Sequence, residues 1–279
     1  MDNALEHFSE ASQAAAHGAT HEAHELPNWL SLLTERFPDS PLMQFLRHWE
    51  TIAFSLIIAG GISALFLLAS KRPNSLPGKL QNFCEILMEG LEGFVSGILG
   101  ETQGKKHVPF LGTLFIYILC MNWFGLVPLM KSPTARWSIT LAIALTTMVY
   151  IQLTGIREQG LLHYLKHLAG NPQNAFGIVL IPLMLVLNII LELGAVPFSL
   201  SLRLFANISS EDRLLLNFAD LTIHSPFFIG FFFQIFANVL SIIFSFVQAF
   251  VFMLLSTVYI SLVLPHDNTQ HGAHEARAH

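Results

Sequence analysis

The sequence predicts an all-α integral membrane protein with about five membrane-embedded helices, one interfacial amphipathic helix, and a long, strongly tilted hairpin made by the last two membrane helices. Three observations carry this reading. The chain has 279 residues, 53% of them hydrophobic and only 12% charged, where soluble domains average about 25% charged. Its apolar residues gather into runs of about twenty or more, enough to cross a roughly 30 Å hydrocarbon layer. The last two runs are far longer than one crossing needs.

Residues 1–49 form a polar segment rich in His, Ala and Glu, with an amphipathic stretch near Trp29–Phe37 and seven acids against the strong bases Arg36 and Arg47. That balance excludes a nucleic-acid arm. No apolar h-region opens the chain, so the first span is expected to direct insertion. His17, His21 and His24 align on a helix, but no Cys or acidic ligand set accompanies them, so a solvated tail is expected rather than a metal site. Residues 266–279, with His266, His271, His274 and His279, read the same way.

The first span is expected at Thr51–Ser70, followed at once by Lys71, Arg72 and Lys79. The positive-inside rule places this end in the cytoplasm and the N-terminus outside. In residues 79–99, Phe83, Ile86, Leu87, Gly90, Leu91, Phe94, Val95 and Ile98 repeat at helical spacing with Glu85, Glu89 and Glu92 between them. This is an amphipathic helix in the interface or packed on the bundle, not a span. Lys105 and Lys106 stay inside, Val108–Met130 runs outward, Lys131–Trp137 turns with Pro133, and Ser138–Ile156 returns. The cytoplasmic loop that follows carries Arg157 and Lys166, and outer segments hold only Arg36, Arg47, Lys131, Arg136 and Arg213. Cys84 and Cys120 have neither a disulfide nor a metal spacing.

The first long segment runs from Asn174 to Ile208, and the second fills the 38 residues between Pro226 and Pro265. As one helix the second would extend roughly 57 Å, so it must tilt or bend. Pro182 and Pro197 can bend its predecessor. The polar stretch Ser209–His224 reads as the connector between the two.

Arg203 stands in an apolar run whose only other charge is Glu192. An intramembrane ionisable group is costly and by default functional, and arginine cannot discharge itself by losing a proton. Snorkelling to the interface is the bland alternative, but nearly thirty residues of the run precede Arg203. On an α-helix Glu192, Ser199 and Asn207 share its side. The second long helix carries its own polar stripe of Gln234, Asn238, Ser241, Ser245, Gln248, Ser256 and Tyr259. Lipid rejects such a face, so it packs on protein or water. Ser245 and Ser256 serve equally well as glue between helices. Gln248 and Asn238 need partners, and Arg203 is the candidate.

The stretch Pro197-Phe-Ser-Leu-Ser-Leu-Arg203-Leu-Phe-Ala-Asn207 resembles the signature of subunit a of F-type ATP synthases. Further matches fall in family order at Pro77-Gly-Lys-Leu-Gln81, Asn122-Trp-Phe-Gly-Leu-Val-Pro128, Pro133-Thr-Ala135, Gly155-Ile-Arg157 with Tyr164-Leu-Lys166, and Gln248-Ala-Phe-Val-Phe-Met253 with Val258-Tyr-Ile-Ser261. The resemblance spans residues 51–264 and leaves out the N-terminal segment. It implies a membrane domain over 50–265 that is an ion-translocating stator, multi-pass in a bacterial inner membrane, with the C-terminal tail cytoplasmic. Its implied partners are a ring of subunit c, the peripheral-stalk subunit b, the soluble catalytic sector and membrane lipid, with no cofactor. Arg203 would face the ring carboxylate between two offset half-channels, with Gln248 nearby. Topology then sorts Glu192 and Tyr259 to the cytoplasmic half, and Asn207, Glu211, Asp212, Asn238 and Ser241 to the outer half.

The chain departs from the family in three places. Glu192 lies eleven residues before Arg203, about one turn closer than the usual acid. Glu211-Asp212 stands where many members have Gly followed by Glu or His. Ser241 replaces a titratable residue, so the outer relay is expected to rest on Asp212, Glu211, His224 or water. A stand-alone secondary transporter or channel is the competing class. However, the halves show no repeat, there is no enclosed substrate cage, and no Walker motif would let the chain hydrolyse ATP itself.

Overall fold

The computed structural model describes residues 41–70, 78–127, 130, 132–160, 164, 175–224 and 227–264. The stretch near Trp29–Phe37 and the histidines of both tails lie outside them. Among the described residues the regular structure is helical, and five helical stretches are long and apolar enough to cross a membrane.

Helix α1 runs Pro41–Ser70 and begins ten residues before the expected span, with proline at its first position, where its missing N–H costs nothing. It lies at the periphery, with Leu56, Leu67 and Leu68 exposed. One tie to the bundle is Ser55 Oγ, 2.5 Å from the Tyr117 hydroxyl. Helix α2, Lys79–Leu99, is the expected amphipathic helix. Cys84, Leu91 and Val95 are buried against the bundle, while Phe83, Ile86 and Ile98 stay exposed. Gly100, at φ 80, lets the chain reverse within one residue into α3, Glu101–Phe124.

Helix α3 starts earlier and ends earlier than the expected Val108–Met130. Lys105 and Lys106 are wound into its early turns, both exposed. Lys106 pairs with Glu158 at the far end of α4. At its other end the helix gives way to a polar knot: Ser132 Oγ donates to the Met121 carbonyl (3.1 Å) and lies 2.6 Å from Thr134 Oγ1, which donates to Asn122 Oδ1 (2.8 Å). A single 3₁₀ turn, Pro133–Ala135, leads into α4, Trp137–Gln159.

The long segments differ most from expectation. The first consists of α5 (Ala175–Ile189), a wide π turn (Ile190–Ala195) and α6 (Val196–His224). The stretch Ser209–His224 is therefore helix and not a connector. Leu215 turns into the bundle and Phe218 stacks on Phe233 at 5.9 Å, so the leucine spacing within the polar stretch suffices to keep it helical. Near its end Thr222 Oγ1 donates to the Gly230 carbonyl at 3.0 Å, tying the two arms of the hairpin together. Helix α7, Phe227–Val263, fills the expected run in 37 residues. The core brings together Leu111, Phe115, Ile118 and Met121 of α3, Ala144 of α4, Leu204 of α6 and Phe252, Met253 and Ile260 of α7. Cys84 and Cys120 are free thiols.

Candidate functional site

Leu200 and Leu204 bury one side of α6 in the bundle, while Arg203, between them in sequence, points off that face and is exposed. Arg203 makes no hydrogen bond or ion pair among the described residues. Its expected pairing with Gln248 is absent. Asn207, one turn further along α6, instead donates its Nδ2 to Gln248 Oε1 across the seam with α7. A short amide spans that gap, while the long guanidinium stem stays outside it. Gln248 is 4% exposed, and its Nε2 is buried without a partner. Asn238 is exposed and also lies apart from Arg203.

Beyond Asn207 the seam opens into a cavity of about 320 Å³ lined by Asn207, Ser210, Glu211, Leu214, Leu240, Ser241, Phe244, Val247 and Gln248. Ser245 Oγ, fully buried, reaches both carboxylate oxygens of Glu211, at 3.2 and 3.4 Å. So Ser245 does more than glue helices, whereas Ser256 bonds only its own helix, at the Phe252 carbonyl. Glu211 and Asp212 do not sit on an inter-helix turn as expected; both are inside α6, and Asp212 does not line the cavity. His224 ends α6, its side chain outside the described residues.

On the other side of Arg203 lies a second cavity, about 130 Å³, lined by Met148, Ile151, Gln152, Glu192, Val196, Tyr259, Leu262 and Val263. Glu192 belongs to the π turn. Pro197 has no N–H to continue an α-ladder, and the Val196 N–H bonds back to the Leu191 carbonyl, five residues away. The extra residue in that turn rotates what precedes it by about 100° relative to an unbroken α-helix. Glu192 therefore leaves the Arg203 face, where the sequence placed it, and turns toward α4. Gln152 Nε2 lies 3.5 Å from Glu192 Oε2, Tyr164 donates to Gln152 Oε1, and the Tyr164 oxygen is 3.3 Å from the same Glu192 oxygen. Burial, then the charge of Glu192 and its hydrogen bond, push the Tyr164 phenol well above its usual range, so it remains a donor.

Sequence reading missed Gln152 and Tyr164. Gln152 was visible as an amide within an apolar span, and Tyr164 sat in a matched motif with no role attached. His107, 2% exposed with Nδ1 2.8 Å from the Tyr150 hydroxyl, is a further buried polar group, and it lines neither cavity.

Residues 52–261 match the model of the family described as ATP synthase A chain. A protein of Protochlamydia amoebophila, "ATP synthase subunit a", is 42% identical over 242 residues, covering 85% of this chain and 89% of its own. One of the same name from Oleidesulfovibrio alaskensis is 38% identical, covering 78% and 88%. Another from Geotalea daltonii is 34% identical, covering 78% and 93%.

Proposed function

This chain belongs to the ATP synthase A chain family, and on that premise we propose that it carries ions through two half-channels that meet at Arg203. The family assigns it to the membrane sector of an F-type ATP synthase as an ion-translocating, multi-pass stator subunit. The observation that carries the finer reading is an exposed arginine, unpaired among the described residues, flanked by two separate cavities that each hold a carboxyl group.

In the proposed cycle an ion enters through the Glu211 cavity. Glu211 lines it and is held by Ser245; Ser241 lends a hydroxyl that cannot titrate. The path reaches the Asn207–Gln248 bridge beside Arg203. A rotor carboxylate that has lost its ion pairs with the guanidinium, whose permanent charge and planar fork suit a carboxylate. The arginine cannot pass a proton on, so it blocks direct leak between the cavities while drawing the ionised carboxylate past. On the far side the ion leaves by the Glu192 cavity, past Gln152 and Tyr259. Asp212 and Asn238 stand outside both linings and have a secondary part at most.

The partner facing Arg203 is a ring of subunit c, and subunit b links the chain to the catalytic sector. The membrane domain, residues 50–265, does this work in a bacterial inner membrane, with the N-terminal segment outside and the C-terminal tail in the cytoplasm. The exposed side of α6 supplies the test. With Cys84 and Cys120 replaced, Asn207→Cys is expected to form a disulfide crosslink with a cysteine on the outer helix of subunit c. Ser241→Cys, at a position 1% exposed, is expected to crosslink far less. The reverse order would sink the assignment of faces.

A further inference from the structure

Tyr164 stands in the stretch that the sequence assigns to a cytoplasmic loop, yet it is 5% exposed. Its backbone N–H bonds the Gly160 carbonyl at 2.9 Å, just after Gly160 has turned the chain at φ 78. The ring lies against Gly155 on α4, where an added Cβ would stand 2.9 Å from the Tyr164 ring and 3.0 Å from Val263 Cγ1. Gly155 is thus the gap that lets the ring wedge between α4 and the end of α7. Gln159 Nε2, donating to the Val263 carbonyl at 2.6 Å, ties those two helix ends together. From this wedge the hydroxyl reaches Gln152 and Glu192 at the cavity these helices enclose.

We propose that Tyr164 is a positioning residue of the inner ion path: its ring closes the cytoplasmic mouth of the Glu192 cavity, and its hydroxyl fixes the Glu192 carboxyl directly and through Gln152. This rests on the reading of that cavity as the inner half-channel. It gives the matched pair Gly155 and Tyr164 one joint role, the glycine making room and the phenol acting. A tyrosine that merely filled space would need its ring but not its hydroxyl.

Two measurements test it, on the assembled complex in inverted vesicles, where the medium bathes the cytoplasmic face. Tyr164→Phe keeps the ring and removes the donor. ATP-driven pumping is expected to survive at a reduced rate, with a medium-pH profile that no longer superimposes on wild type. The second measurement reads the mouth itself. In a chain lacking Cys84 and Cys120, Val196→Cys places a thiol in the cavity lining, and a membrane-impermeant maleimide added to the medium is expected to react about tenfold faster when Tyr164→Ala is also present. A pH profile that superimposes on wild type in Tyr164→Phe, or a reaction rate unchanged by Tyr164→Ala, overturns the proposal. Should Tyr164→Ala fail to assemble, the Phe variant still decides. Full pumping after complete modification of Val196→Cys would instead refute the inner half-channel, while the reaction rates would still report whether Tyr164 closes the mouth.

Discussion

The two cavities beside Arg203 hold the same chemical group in opposite ways. Glu211 lies in a groove of about 320 Å³ walled, among the described residues, by α6 and α7, its carboxylate held by the hydroxyl of Ser245. Glu192 lies in a space of about 130 Å³ walled by α4, the π turn, Val196 at the start of α6 and the end of α7, within reach of the Gln152 amide of α4 and the Tyr164 phenol beyond it. One site is a seam between two neighbouring helices. The other is a chamber assembled from segments distant in sequence. A seam is set by helical periodicity, so a stripe on one helix announces it. A chamber depends on where a chain folds back, which periodicity does not encode.

Breaking what the two cavities share should have the largest effect. Arg203→Ala is expected to abolish coupled pumping, a fall of roughly 100-fold or more, as when a preorganised charge is lost from a reacting centre. Arg203→Lys should recover little, because an ammonium lacks the guanidinium fork. Assembly, followed by co-purification of the complex, should be retained in both; near-normal pumping by either in reconstituted vesicles would remove the arginine from the mechanism.

The next experiment sharpens the contrast within the outer groove. Glu211→Gln is expected to slow pumping by up to about 100-fold, the lower end of what a positioned proton-transferring group contributes. Asp212→Asn, outside the cavity lining, should stay within about twofold of wild type on the same scale. Equal rates for the two variants would mean that the groove does not select its acid.

The smallest effect is expected at the hydroxyl that holds Glu211. Ser245→Ala removes one hydrogen bond to a carboxylate but leaves Ser241 lining the same groove, so pumping should fall only about two- to fivefold, the scale of one net hydrogen bond. A loss as large as that of Glu211→Gln would show that Ser245 is part of the path rather than a support for it.

Much of this molecule can be read from its residues. The spans follow from hydropathy, and α7 starts and stops beside Pro226 and Pro265, which bracket its apolar run. Arg203 and the Ser241–Gln248 stripe were legible because polarity in an apolar helix has few innocent explanations. Three features were not. The helical state of Ser209–His224 was hidden by its charge, which outweighed a sparse leucine repeat that needed α7 as a partner. The turn of Glu192 away from Arg203 came from a single π turn, invisible to any count that assumes a constant period. The part of Tyr164 depended on a glycine nine residues earlier leaving room for its ring, a relation of volume and not of pattern.

The placement of the cavities also has an electrical meaning. Val196 lines one and Asn207, eleven positions further along the helix, lines the other, with Arg203 inside that interval. That is about 16 Å of helix, against a bilayer core of roughly 30 Å. Where water fills both cavities, the membrane voltage drops across this thin partition rather than across the whole core, and the local field is about doubled. Each charge that crosses still does about 2.3 kcal/mol of work per 100 mV. In the proposed cycle the chain would act as the narrow dielectric of a capacitor, confining that work to the stretch where a moving rotor charge meets its fixed counter-charge.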